Sequence, residues 1–364
     1  MSALFSISSS AGSYPVHIDQ GGLAKLLAGR QQDIVIADNY FASALPIHSN
    51  LVRSVLFFEA SEAVKSLDFA PTLIEQIRRA GATRQTHLIA IGGGIIQDLT
   101  AFAASIYMRG ASWSYVPTTI LSMVDSCIGG KSSINVGPYK NLVGTFHPPK
   151  AVFVDPAFAL TLPLDQQASG IIEAAKICFC RSPASFQAYL SSNPHPGMST
   201  AALTLLVSQS LEAKKWFIEI DEFDRKERLL LNFGHTFGHA IEGASHYGVS
   251  HGIAVGLGML CALNFARQSS PGTDLYFGAP MVSQLEEHIG MMLRSVPNLG
   301  HQLAALSLGD VLERFESDKK HKQEQYVLVL VETSGQVAVR DVPRSQETRQ
   351  RIMNSIQNVV DSYI

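Results

Sequence analysis

The sequence lacks an apolar run long enough to span a bilayer, a paired-cysteine motif and any excess of positive charge. Its longest apolar stretch, GIAVGLGMLCALNFA (252–266), falls short of the roughly 20 residues that a spanning helix needs. It reads instead as a buried core helix. The opening, MSALFSISSS, has neither a basic n-region nor an apolar h-region, so no signal peptide is expected. The four cysteines, Cys127, Cys178, Cys180 and Cys261, form no CxxC pair and no secreted framework. On a helix Cys178 and Cys180 point about 200° apart, which suits buried thiols rather than zinc ligands. Reduced thiols fit a cytoplasmic protein. A net charge of −3 gives no general field for nucleic acid or an anionic membrane, so neither is expected as a partner. An anionic substrate must be held by local cations.

What is present is an ordinary globular composition, 46% apolar and 16% charged, over 364 residues. That length predicts two domains. The first half alternates short apolar runs with helical stretches. DIVIAD (33–38), SVLFFE (54–59), HLIAIGGG (87–94), SYVPTT (114–119) and AVFVD (151–155) read as strands buried on both faces, hence a parallel sheet. SEAVKSLDFAPTLIEQIRRAG (61–81) reads as a helix between them. The expectation is an α/β domain of nucleotide-binding geometry over 1–162. From residue 163 the pattern becomes mainly amphipathic helix, as in PLDQQASGIIEAAKICF, AALTLLVSQSLEAKKWFIEI (201–220) and QETRQRIMNSIQNVVDSYI (346–364). YVLVLVETSGQVAVRDV (326–342) interrupts it as a hairpin turning at Ser334-Gly335. The second domain is expected to be 163–364 and helical.

Chemistry concentrates in three places. IGGGIIQDLTAFAA (91–104) follows a strand and opens a helix. Glycines there let backbone N–H groups approach a phosphate, and the helix start adds partial positive charge. The spacing is not GxGxxG, so a tight turn is the competing reading. Asp98 near that helix start, Asp38 at a strand end, and Glu62 with Lys65 at a helix start are candidate cofactor contacts or ordinary surface groups. Next, Arg109, Lys131, Lys140 and Asn141 fall close together and offer a phosphate monoester an arginine fork, ammonium groups and an amide. Asp125, in SMVDSCIGG, sits in apolar surroundings and implies a partner.

The third place is LNFGHTFGHAIE (231–242). His235 and His239 share a helical face. His251 follows, and Glu173 lies upstream beside Ile171, Ile172, Ala175 and Phe179. A carboxylate with two imidazoles makes an open metal triad; satisfied core histidines are the alternative. Lys176 shares a side with Glu173, and Lys214 and Arg228 flank the helix leading into LLLNFGHT.

In this order, IGGGIIQDLTAFAASIYMRG, VPTTILSMVDSCIGGKSSIN, KNLVGTFHPPKAVFVD, TLP, IIEAAK, DEFDRKERLLLNFGHTFGHAIE and HGIAVGLGM resemble the 3-dehydroquinate synthase family and its sugar-phosphate cyclase relatives. The resemblance runs from about residue 87 to 260. It implies an N-terminal Rossmann-like NAD-binding α/β domain, a mainly α-helical C-terminal metal- and substrate-binding domain, and a homodimer. It implies that Glu173, His235 and His251 hold a divalent metal, zinc or cobalt. His239 then faces the substrate phosphate with Lys131, Asn141 and Asn232. Arg109 is offered across the dimer interface, Lys176 and Asp125 meet substrate hydroxyls, Lys214 and Arg228 meet a carboxylate, and Lys319 or Lys320 closes the site. For NAD the matching residues are Asp38, Glu62, Lys65, Gly93, Gly94, Asp98, Thr118, Thr119 and Thr161, with Asp125 and Lys140 shared between cofactor and substrate.

The implied chemistry acts on a small anionic sugar phosphate. A secondary alcohol is oxidised by NAD, the neighbouring C–H is acidified, phosphate leaves by β-elimination, hydride returns, and the ring closes by an intramolecular aldol step. Departures bear on which cyclase this is. IIEAAKICFC stands where AEVIK is usual, Val136-Gly137 replaces His-Pro, Lys226 stands where glycine is common, and EASEAVK lacks a Pro-Gly. The first expectation is 3-dehydroquinate synthase, a carbon–oxygen lyase of the shikimate pathway. The alternatives are a specialised cyclase on an amino-heptulosonate, sedoheptulose phosphate or glucose phosphate, a metal- and NAD-dependent alcohol dehydrogenase, and a non-catalytic paralog.

Overall fold

The computed structural model describes residues 5–43, 52–137, 139–268, 280–332 and 334–364. Two compact units emerge, Met1–Leu162 with Ile218–Glu222, and Pro163–Phe217 with Phe223–Ile364.

The N-terminal unit runs β1 (Phe5–Ser9), β2 (Gly12–Ile18), α1 (Leu23–Leu27), β3 (Arg30–Asp38), β4 (Val52–Phe58), α2 (Ala70–Arg79), β5 (Leu88–Gly92), α3 (Gly94–Ile106), β6 (Trp113–Pro117), β7 (Lys131–Val136), β8 (Tyr139–Phe146) and β9 (Val152–Val154). Seven strands form one sheet in the order β1-β2-β9-β6-β5-β3-β4. All neighbours from β2 to β4 pair parallel, while β1 closes the edge antiparallel. The uninterrupted apolar runs explain this. Ile34, Val35, Ile36 and Ala37 of β3, and Leu88, Ile89, Ala90 and Ile91 of β5, are all fully buried, as strands covered on both faces must be. Each large apolar side chain so buried contributes roughly 1.5–3 kcal/mol.

Strand order reverses between β3 and β5. The chain leaves β3 toward β4 on one side, and leaves β5 toward β6 on the other. Outside the carboxyl ends of such a pair lies the ligand crevice of an open α/β sheet. Asp38 ends β3 there, and Gly92-Gly93-Gly94 joins β5 to α3.

Two local expectations are corrected. Residues 61–69 are not helical; α2 starts only at Ala70, with proline in its first turn. Pro71 lacks an N–H and so fits only the first turn of a helix, where that N–H would have no partner. Glu62 and Lys65 therefore lie on a looped segment, not at a helix start. The hairpins β1–β2 and β7–β8 were not expected, because their exposed faces replace apolar runs with Ser, Lys, Asn and Tyr.

The C-terminal unit holds α4 (Leu164–Arg181), α5 (Pro183–Ser191), α6 (Thr200–Ile220, whose last residues group with the first unit), α7 (His235–Ala244), α8 (His251–Gln268), α9 (Pro280–Arg294), α10 (Leu299–Ala304), α11 (Leu308–Glu316), the antiparallel pair β10 (Gln325–Val331) and β11 (Val337–Pro343), and α12 (Gln346–Asp361). The 252–266 stretch is the buried helix α8, as its sequence predicts. Among the described residues no helix is long and apolar enough to cross a membrane. Arg228 lies on a 3-10 turn, Glu227–Asn232, rather than beside a helix leading into the histidines.

Glycine sets the spacing of the helices that matter. A Cβ on Gly258 of α8 would stand 2.1 Å from the Gly234 carbonyl oxygen and 2.6 Å from the Gly238 nitrogen. One on Gly252 would stand 2.1 Å from the Ser169 carbonyl oxygen of α4. Backbone therefore touches backbone where α7 and α4 meet α8. Gly258→Ala should force α7 away from α8 and lower the denaturant midpoint, by about 1–3 kcal/mol in stability; an unshifted midpoint would contradict so close an approach.

Candidate active site

Glu173 and Lys176 project from α4, a helix buried from Gln167 to Cys180. Glu173 is 0% exposed and Lys176 2%. Their ion pair measures 2.5 Å, Lys176 Nζ to Glu173 Oε2. The other carboxylate oxygen, Oε1, is buried with no hydrogen-bond partner. It faces His251 Nε2 at 3.7 Å. Lys176 Nζ also lies 3.5 Å from His235 Nε2.

The three imidazoles come from the two helix starts that the glycines hold together. His235 opens α7, His239 follows one turn later, and His251 opens α8. Ring centroids are 5.0 Å apart for His235 and His239, 5.4 Å for His235 and His251, and 5.6 Å for His239 and His251. One nitrogen of each lies within 4.8 Å of the others. His239 is more accessible to solvent than Glu173, which is fully enclosed.

The environment sets the protonation. Burial and the Lys176 charge, helped by the other two histidines, hold His235 well below the ordinary imidazole range. Burial, His251 and Lys320 push His239 down to about 3. Both rings are thus neutral near pH 7 and keep a lone pair for a metal or a proton. His251 differs. Burial opposes its charge, but the Glu242 hydrogen bond and the Glu173 carboxylate outweigh this and raise it. Glu242 Oε2 accepts from His251 Nδ1 at 3.0 Å. That bond turns Nε2 toward Glu173. Glu242 was not singled out in the sequence, although its place three residues after His239 on one helical face was a usable signal.

This donor set fits a divalent cation. Glu173 has an unsatisfied buried oxygen, His235 Nδ1 is a second buried atom without a partner, and the imidazoles converge. The two remaining cations expected here, Lys214 and Arg228, are buried, 5% and 4% exposed. Asn232 ends the 3-10 turn and donates to the Leu229 carbonyl oxygen at 3.1 Å. Lys320 pairs with Asp318 at 2.8 Å, and its charge acts on His235 and His239; Lys319 is exposed.

The N-terminal unit gathers a separate set. A Cβ on Gly92 would collide with Ile96, 2.7 Å away, and one on Gly93 would meet Thr119 at 3.0 Å. A Cβ on Gly94 meets nothing within 4 Å. The turn is thus packed beneath and open above, at the start of the long helix α3, which fits a phosphate-bearing cofactor. Thr118 is buried, and Thr119 bonds Ser122 at 2.8 Å. Asp98 pairs with Lys65 at 2.6 Å and accepts from Ser133 N at 3.2 Å; burial raises its carboxyl against the pull of Lys65. Glu62 meets Lys140 at 3.2 Å, and Asn141 accepts from Lys65 at 2.9 Å. Asp125 sits in a π-helical turn, Ser122–Ser126, a form frequent at functional sites. Lys131 stands over Phe146, 6.0 Å from its ring centre.

Three further expected residues make only local backbone contacts or lie exposed. Asp38 caps the following turn by accepting from Tyr40 N. Thr161 is exposed and bonds the Phe158 carbonyl oxygen. Arg109 is exposed, with a left-handed backbone of φ 71° beside Met108 at 48°.

The chain matches the family model for the 3-dehydroquinate synthase N-terminal domain over residues 55–169 and that for the C-terminal domain over 170–321. It is 35% identical over 357 residues to a 3-dehydroquinate synthase of Xylella fastidiosa, covering 92% of this chain and 86% of that one. This chain belongs to the 3-dehydroquinate synthase family. Solved structures of sugar-phosphate cyclases share the family's fold. A 2-deoxy-scyllo-inosose synthase complexed with carbaglucose-6-phosphate, NAD+ and Co2+ superposes with a TM-score of 0.80 at 24% identity, over 97% of this chain and 99% of that one. A 2-epi-5-epi-valiolone synthase from Streptomyces hygroscopicus, with NAD+ and Zn2+ bound, gives 0.79 at 22%, over 100% and 99%.

If the Glu242 bond orients His251 toward a metal, Glu242→Ala should weaken zinc binding by about 10–100-fold in competition titration. Unchanged zinc affinity would show that His251 needs no such support.

Proposed function

We propose that this chain is a 3-dehydroquinate synthase, a phosphate-eliminating lyase that converts 3-deoxy-arabino-heptulosonate 7-phosphate to 3-dehydroquinate with NAD and a divalent metal. The observation that carries it is the Glu173 carboxylate, wholly buried, with one oxygen paired to Lys176 and the other open beside converging imidazoles. Membership of the family and 35% identity to a relative of that name support the substrate.

Glu173, His235 and His251 would hold the metal. When bound, NAD+ would take up a hydride and later return it, and the metal would polarise a carbonyl. The protein's own groups bind and orient. Lys176, fixed by Glu173, donates hydrogen bonds to a substrate hydroxyl, and Asp125 accepts from another. Lys131, Asn141, Asn232 and His239 are assigned the phosphate, and a neutral His239 donates one N–H without adding charge. Lys214 and Arg228 are assigned the carboxylate, which an arginine fork grips well. Lys320, whose charge already acts on His239, is assigned the closing role over Lys319. Arg109 is assigned to the partner's site in a homodimer. Asp38, Glu62, Lys65, Gly93, Gly94, Asp98, Thr118, Thr119, Lys140 and Thr161 are assigned to NAD.

The carboxylate separates this reading from the cyclases acting on sedoheptulose or glucose phosphates. Those sugar phosphates carry a phosphate but no carboxylate, so they offer Lys214 and Arg228 no carboxylate to grip. Phosphate release from 3-deoxy-arabino-heptulosonate 7-phosphate, with no accumulation of NADH, is the expected result. Release only from sedoheptulose 7-phosphate or glucose 6-phosphate would overturn the reading, and stoichiometric NADH would make the protein a dehydrogenase. Arg228→Ala should lower kcat/KM on the carboxylated substrate by about 2–5 kcal/mol in transition-state stabilisation; unchanged kinetics would remove the carboxylate assignment.

A further inference from the structure

The hairpin β7–β8 holds an irregularity that the proposed roles do not use. Its ladder pairs Ile134 with Val143 and Val136 with Tyr139. Asn135 therefore stands alone opposite Lys140, Asn141 and Leu142. A bulge of this kind breaks the ladder and re-aims side chains, and such bulges gather beside active sites. Asn141, at its centre, has a left-handed backbone, φ 53°, a conformation that asparagine tolerates better than most residues.

The N–H of a bulged residue loses its ladder partner. Here the Asn135 side chain replaces it, with Oδ1 accepting from Asn141 N at 2.9 Å. The same amide donates from Nδ2 to Glu62 Oε2 at 2.7 Å. Asn135 is buried, 7% exposed, and its own main chain is fixed, N to the Lys65 carbonyl oxygen at 2.9 Å and its carbonyl oxygen to Leu67 N at 2.9 Å. One buried amide thus spans the 61–67 segment, which carries Glu62 and Lys65, and the bulge, which carries Lys140 and Asn141.

We propose that Asn135 is a positioning residue that pins the bulge and so sets the cofactor-side carboxylate, Glu62, and the phosphate-side amide, Asn141, at once. This rests on the roles proposed above for Glu62 and Asn141. The two ends of its amide serve two subsites. Loss of the amide frees both, whereas loss of Glu62 frees one.

The test is a double-mutant cycle read by titration calorimetry on the full-length zinc-loaded protein, with NAD+ and inorganic phosphate as separate probes. Glu62→Ala should weaken NAD+ and leave phosphate nearly unchanged. Asn135→Ala should weaken both, each by roughly tenfold, the scale of one lost buried hydrogen bond. In the Glu62→Ala background, Asn135→Ala should cost less NAD+ affinity than it does in the wild type, while still costing phosphate affinity in full. A merely structural loss would weaken the two probes additively in every background. Should Asn135→Ala fail to fold, Asn135→Gln, with the same amide displaced by one methylene, is read the same way. Unchanged phosphate affinity in the Asn135 variant, or additive NAD+ losses, would overturn the proposal while the functional reading stands. A wild-type protein that binds neither NAD+ nor phosphate would overturn both.

Discussion

A carboxylate removed from water must be met by positive charge, and Glu173 is met on only one side. Its burial is complete, and the desolvation cost of such an ion is several kcal/mol. Lys176 answers one oxygen; the other stays open toward His251. The rest of the helical unit follows from keeping that oxygen open. Side chains on α4, α7 and α8 can converge only because backbone meets backbone at Gly238, Gly252 and Gly258. Those glycines weaken their helices by up to about 1 kcal/mol each. The return is a donor set carried on packed helices, where orientation holds better than on loops.

Charge around the set is graded rather than uniform. His235 and His239 are kept neutral by burial and by nearby cations, whereas His251 is drawn the other way by Glu242 and Glu173. A neutral ring can be a ligand, and a ring anchored through Nδ1 presents its Nε2 in a fixed direction. The N-terminal unit solves a similar problem with one helix, α3, and irregular backbone. Glycines, a π-helical turn and a bulge place its polar groups, and ion pairs tie the looped 61–69 segment to α3 through Lys65–Asp98 and to β8 through Glu62–Lys140.

The sequence disclosed what rests on periodicity and little of what rests on geometry. Apolar runs announced β3, β4, β5, β6 and β9, because strands covered on both faces need them. The three-and-four spacing announced α4, α6 and α12. The two-histidine face was legible too, since i and i+4 meet on any helix. Yet why each histidine follows a glycine was not, for the glycines answer to α8, distant in the chain. Hairpin β7–β8 was hidden by its exposed polar faces, and Asn135 by looking like a loop residue. The helix expected from residue 61 yielded to Pro71, which lets α2 begin only at Ala70. Glu242 lay in plain view but has meaning only once His251 is placed beside it.

Lys214 and Arg228 decide more than their number suggests. Buried arginine and lysine are rare because each must find anionic or dipolar company. A phosphate and hydroxyls are common to all the sugar phosphates considered above, so neither feature distinguishes among them. A carboxylate does. The local departures, Val136-Gly137 at a hairpin turn and Lys226 ahead of a 3-10 turn, alter loops and leave these two cations in the protein interior. Under the proposed function these two cations are what a substrate carboxylate would meet, and the loop differences do not remove them.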